Sequence, residues 1–179
     1  VAVAESLTRR LPLCQFEFFT TVPKHHIAAS VENFHYQTLT CDVGMVQTDA
    51  LTTDLPKTLQ RLNSFLPFDP TEVQRLVAYL ERQRCIAVIS DISPLGLQVA
   101  RAAALPSVLI ENFTWDWIYR GYALDHPQMG KHAAYLSSIF ACADLHLQCQ
   151  PICHTKPDGV LTSPVSRRFQ KDPATMRSH

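Results

Sequence analysis

Residues 85–111 read CIAVISDISPLGLQVARAAALPSVLIE, and this stretch decides the fold. Residues 85–90 form a short apolar run, Ser93-Pro94 can open a helix that turns Leu97 and Ala100 inward, and residues 107–111 form a second apolar run. The pattern is a βαβ unit. A right-handed crossover makes the two strands parallel and places helices over both faces of their sheet. Working outward from it, Asp69-Pro70-Thr71-Glu72 supplies a helix cap, a first-turn proline and an acidic residue ahead of Val73, Leu76, Val77 and Leu80. Before that helix, Leu55, Leu59, Leu62 and Leu66 recur at helical spacing until Pro67. Further toward the start, residues 1–10 read as a helix stopped by Pro12. Residues 15–21 and 34–39 read as strands around a brief helix at residues 25–31. Downstream, Thr114 is positioned to cap a short helix through Tyr122, and Met129, Ala133, Leu136 and Phe140 make another stripe. Residues 145–149 close the series as a strand, and the stretch from Gln150 onward reads as loop and connector.

Composition limits what such a domain can do. At 179 residues with 46% hydrophobic and 18% charged side chains, the chain has the make-up of one globular domain. Lysine plus arginine equals aspartate plus glutamate at 16 each, so no positive field recruits nucleic acid or an anionic membrane. No run is long and apolar enough for a membrane helix, and the start lacks the pattern of a signal peptide. A cytoplasmic location is expected. The six cysteines show no CxxC pair and are expected to be reduced, buried thiols. The chain begins at Val1, inside a helix, as a piece of a longer protein would.

In a parallel sheet, ligands collect beyond the carboxyl ends of the strands, where loops converge and helix amino termini point outward. The loops at residues 42–53, 91–94 and 111–116 qualify. Asp91 ends a strand, a position from which its carboxylate could orient an imidazole base or simply cap the next helix. Asn112, Thr114, Trp115 and Asp116, with Trp117 two residues on, combine amide, hydroxyl, carboxylate and indole groups suited to a sugar or polyol. Tryptophans at i and i+2 cannot share one helix face, so one of them is expected to pack. Asp42, Gly44, Gln47, Asp49 and Asp54 line a polar loop that either reaches across a cleft or is an ordinary surface loop. Cys142, His146, Cys149, Cys153 and His154 carry metal-ligating groups at poor spacing, so no metal site is expected. The motifs of dinucleotide binding, of phosphate loops and of serine hydrolases are missing.

DVGMVQTDALTTD at residues 42–54 and VISDISPLGLQVARAAALPSVLIENFTWDWIY at residues 88–119 together resemble the amino-terminal domain of GT-B type glycosyltransferases. The likeness is greatest to the glycosyltransferase-like region of plant L-arabinokinases and related bacterial proteins. The resemblance implies a Rossmann-like parallel sheet flanked by helices, lacking its first strand, over residues 1–168. Residues 169–179 would then start a connector to a carboxy-terminal domain. It also implies an acceptor-binding domain of a nucleotide-sugar-dependent transferase, with Asp91 as the acid that orients a histidine base. Asn112, Thr114, Trp115, Asp116, Gln47 and Asp49 become the substrate contacts. No cofactor is implied beyond a nucleotide-sugar donor, and the partners are a sugar or polyol acceptor and the donor-binding domain. The loop bearing the base would precede Val1, and none of the eight histidines present takes its place by spacing. The piece by itself is therefore expected to be inactive. The other reading is a non-catalytic sugar-binding or interaction domain of the same fold, such as one attached to a sugar kinase.

Overall fold

A computed structural model describes residues 1–167; the expected connector at residues 169–179 lies outside the described residues. The chain divides into two compact units. The first holds residues 1–40 with residues 164–167, the second Cys41–Ser163.

In the first unit, helix α1 (Ala2–Arg10) is followed by strand β1 (Phe16–Phe19), the short helix α2 (Lys24–Ala28) and strand β2 (Phe34–Gln37). β1 and β2 pair in parallel, with Phe16 opposite Phe34 and Phe18 opposite Tyr36. The aromatic side chains that make these segments strand-formers also supply their packing. Ala4, Ile27 and Val31 are buried, with Phe16, Phe18, Phe34 and Tyr36 against them. The Phe18 and Phe34 rings meet edge to face at 5.5 Å.

The second unit begins with a loop and helices α3 (Leu55–Phe65) and α4 (Pro70–Arg82), and the βαβ core follows as β3 (Val88–Asp91), α5 (Pro94–Ala102) and β4 (Ser107–Glu111). Helices α6 (Trp115–Arg120) and α7 (Pro127–Phe140) then lead to β5 (Leu145–Cys149) and β6 (Val160–Thr162). All four strands run parallel in the order β3-β4-β5-β6. Parallel order places their carboxyl ends, at Asp91, Glu111 and Cys149, along one border of the sheet.

Local signals explain the helices. Asp69 accepts the Thr71 N–H at 2.9 Å and Asp54 accepts that of Lys57 at 2.9 Å, each ahead of a proline in the first turn. The stripe Val73, Leu76, Val77 and Leu80 is buried, as are Met129, Ala133, Leu136 and Phe140 of α7. α5 lies on β3 and β4 with Leu97 and Ala100 buried. It can approach closely because residue 96 is glycine: a Cβ there would collide with the Ser90 hydroxyl.

Several expectations are corrected. β3 starts at Val88 rather than Cys85, because the chain first has to leave α4. Arg84 takes φ +55° and the Cys85 N–H returns to the Leu80 carbonyl at 2.9 Å, a helix-ending turn that uses up the preceding residues. β6 was read as loop; three residues are too few to show a period, and pairing with β5 defines the strand. The parallel strands are flanked by helices as expected, and on the face opposite α5 Ile110 is buried while Ile89 and Leu145, nearer the strand starts, remain 44% and 40% exposed. The cysteines were expected to be buried, but five are half-buried and Cys153 is exposed, because they sit at element ends rather than in the apolar stripes. Among the described residues, no helix is long and apolar enough to cross a membrane.

Candidate functional site

The three loops picked from the sequence meet at the carboxyl border of the sheet. The loop after residue 41 is joined to the start of α5 by a hydrogen bond from Ser93 Oγ to the Cys41 carbonyl at 3.2 Å. It is joined to α6 twice. Trp115 Nε1 donates to Asp42 Oδ2 at 3.2 Å, and Tyr119 Oη donates to the Gly44 carbonyl at 2.9 Å. Trp115 and Tyr119, one turn apart on α6, stack with ring centres 5.9 Å apart, and Phe113 meets the indole edge to face at 5.1 Å. Gly44 has φ +65°, a conformation in which an L side chain is strained, and the bare backbone lies directly under the indole.

Asp91 stands at the tip of β3, exposed, and it does not cap α5. The cap position belongs to Ser93, whose hydroxyl is turned to Cys41 instead of to the helix. The capping role considered for Asp91 is thereby set aside. Ile92, between them, holds φ +55°, a costly conformation for a β-branched residue, with its N–H donated to the Ile110 carbonyl at 3.1 Å. This strain turns the chain sharply from strand into helix and leaves Asp91 at the border.

Asp91 also acts on the neighbouring loop through its charge. Burial pushes the Asp42 carboxyl above the ordinary aspartate range, the Trp115 hydrogen bond opposes that push, and the Asp91 charge adds to it. Burial and then the Asp42 charge lift the Cys41 thiol to about 11, and the same causes raise the Tyr119 phenol. Cys41 and Tyr119 are therefore neutral at physiological pH, each within reach of the Asp42 charge.

The other candidate residues have varied surroundings. Gln47 is exposed and forms an antiparallel bridge with Thr53, making the loop a small hairpin. Asp49 caps the tip of that hairpin: its Oδ1 accepts the N–H groups of Leu51 and Thr52 at 2.9 Å each, and these bonds hold its carboxyl below the ordinary range. Asp116 is 2% exposed; Oδ2 is 3.3 Å from Arg120, and Oδ1 has no hydrogen-bond partner among the described residues. Asn112 is half-buried, and its carbonyl accepts the Cys153 N–H at 2.9 Å. Thr114 occupies the cap position of α6 and is buried, but its hydroxyl does not cap the helix as expected. Of the two indoles, Trp115 packs and Trp117 is 39% exposed, in keeping with their opposite faces.

One network escaped the sequence reading. Glu111 Oε1 accepts from His146 Nε2 at 2.9 Å and from Gln148 Nε2 at 2.7 Å, and all three side chains are buried. Gln148 also donates to the His154 carbonyl at 2.8 Å and accepts the Lys156 N–H at 2.8 Å. The network anchors the segment after β5 beside the Asn112 loop. Its signal was present in the alternation of LHLQC, where two polar residues occupy every second position of an otherwise apolar strand. Its members overlap the residues weighed for metal. Among the described residues, no group of three or more His, Cys, Asp or Glu is placed to hold an ion.

The fold and this border define a parallel α/β domain whose strand-end loops gather carboxylates, an indole and a phenol. Known proteins place it further. The chain is similar to L-arabinokinase of Arabidopsis thaliana, with 33% identity over 110 residues, 61% of this chain and 10% of that protein. The likeness to the plant arabinokinases drawn from the two motifs is thus present in the comparison. A structural likeness to Acinetobacter baumannii MurG has a TM-score of 0.47 at 15% identity and covers 94% of this chain and 42% of the other. The chain therefore spans about a tenth of the arabinokinase and less than half of MurG. No family model matches the chain.

Proposed function

We propose that this chain is the acceptor-side domain of a nucleotide-sugar-dependent glycosyltransferase, acting within a longer protein that supplies the donor-binding domain and the histidine base. The observation that carries the reading is the gathering of Asp42, Asp91 and Trp115 at the carboxyl ends of parallel strands. The resemblance of the two motifs to GT-B glycosyltransferases supports it, together with the likeness to L-arabinokinase over 110 residues.

In this mechanism a sugar or polyol seats its ring against the half-buried Trp115 indole, and its hydroxyls bond to Asn112 and the loop around Gln47. Asp91 holds the base's imidazole in one tautomer and stabilises the imidazolium that forms as the acceptor hydroxyl loses its proton. The deprotonated oxygen then attacks the anomeric carbon, and the nucleotide leaves. Asp116 contributes from beneath, through its tie to Arg120, rather than by direct contact.

The test is Asp91→Asn in the protein that contains this domain, assayed for sugar transfer from a nucleotide sugar to polyol acceptors. Turnover should fall on the order of 10²-fold or more, with the melting temperature unchanged, because Asp91 is exposed and caps nothing. Parental turnover in the variant removes Asp91 from the mechanism. A parent without any transfer or acceptor binding ends the reading.

A further inference from the structure

Trp115 is held in place by a charge. Its indole N–H is bonded to Asp42, its ring is stacked on Tyr119, and the Tyr119 hydroxyl is tied back to the same loop at Gly44. The charge that acts on Asp42 is that of Asp91, and the charge that acts on Cys41 and Tyr119 is that of Asp42. The charges acting on Asp42, Cys41 and Tyr119 are thus negative, the cation of α6, Arg120, is paired with Asp116, and the Asp91 carboxylate is exposed. A ligand ring placed against this cluster meets acceptors for its hydroxyl protons and repulsion for any anionic substituent.

Resting on the reading of this border as a ligand site, we propose that it selects uncharged hydroxylated rings over their carboxylated or phosphorylated counterparts. Asp42 is the specificity-determining residue, positioning the Trp115 indole and supplying the repelling charge. The two roles separate by chemistry. Asn at position 42 retains an oxygen that accepts the indole N–H but carries no charge, whereas Phe at position 115 retains a ring but has no N–H to donate.

The selection is also proton-linked. Asp42 loses its proton at a higher pH than an ordinary aspartate, so repulsion of anions grows as pH rises through that range and fades below it. The other titratable groups facing Asp42 are Asp91, Cys41 and Tyr119, and the last two are pushed upward and stay protonated throughout.

The experiment measures binding of glucose, glucuronate and glucose 6-phosphate by ligand-observed NMR, between pH 4 and 8, to the parent chain and to Asp42→Asn, Asp91→Asn and Trp115→Phe. Thermal melts establish that each protein is folded. At neutral pH the parent should bind glucose about fivefold or more tightly than either anion, as expected for a carboxylate several ångströms from the ligand charge. Asp42→Asn should close most of that gap and, for glucuronate, reduce its pH dependence. Trp115→Phe should weaken glucose without rescuing the anions. Equal affinity of the parent for glucose and glucuronate overturns the selectivity and leaves the ligand site standing. A gap that survives in both aspartate variants removes the carboxylates as its cause. If the folded parent binds none of the three rings, the ligand site itself falls and this inference with it.

Discussion

Replacing Gln148 with leucine tests whether the Glu111 network organises the border of the sheet. Gln148 is 1% exposed, and its amide satisfies the Glu111 carboxylate at 2.7 Å, the His154 carbonyl at 2.8 Å and the Lys156 N–H at 2.8 Å. Gly159 closes over it so tightly that a Cβ there would lie 2.5 Å from Oε1. Leucine fills similar space and makes none of these bonds. His154 and Lys156 belong to a largely exposed segment and can turn to water, but Glu111 stays buried with one donor fewer, against His146 alone. A lost hydrogen bond to a buried charge, plus two partly rehydrated backbone groups, amounts to roughly 2–4 kcal/mol. With a urea slope of about 2 kcal/mol/M, the midpoint should drop by about 1–2 M. The assay is tryptophan fluorescence in urea. Both tryptophans of the chain lie in the unit Cys41–Ser163, so the signal reports that unit alone. The double variant Glu111→Leu with Gln148→Leu should cost clearly less than the sum of the single changes, because the two side chains share one bond. A midpoint within 0.5 M of the parent (about 1 kcal/mol at that slope), or strict additivity, would refute the reasoning.

Two further outcomes are expected. Tyr119→Phe removes the bond to the Gly44 carbonyl while keeping the ring stacked on Trp115, and should cost about 0.5–1.5 kcal/mol in the same urea assay. An unchanged midpoint would mean that the carbonyl is equally well served by water. Asp144 accepts the Ser107 N–H and hydroxyl at 2.8 Å each, and these bonds hold its carboxyl below the ordinary value of 3.8. A lowered native pKa stabilises the fold above the unfolded value and is lost as pH falls through the native one. Asp144→Asn should therefore flatten the loss of stability below about pH 4, a slope measured by urea midpoints at successive pH values. Identical slopes in parent and variant would remove Asp144 from the acid response.

The structure altered the standing of the site residues more than that of the elements. Asp91 was weighed as a helix cap from its place two residues before Ser93-Pro94; only the turn at Ile92 reveals that the cap position is Ser93 and that its hydroxyl goes elsewhere. Asp49 was chosen for its carboxylate, and that carboxylate is occupied by its own hairpin. Asp42, noted only as part of a polar loop, proves to be the residue that meets Trp115, 73 positions away.

By itself the sequence determined the strands and helices whose cause is local: the capped and striped α4, the striped α7, β4 with its apolar run and β5 with its alternation. Propensity, capping and periodicity act over a few residues and are written along the chain. The tertiary structure alone decided that β6 is a strand, that Gln148 is a hub, and that Asp42, Trp115 and Tyr119 form one cluster. Those facts depend on hydrogen bonds between segments brought together as the parallel sheet folds, and even where a residue's own neighbourhood marks it, as the alternation around Gln148 does, its partners are not written there.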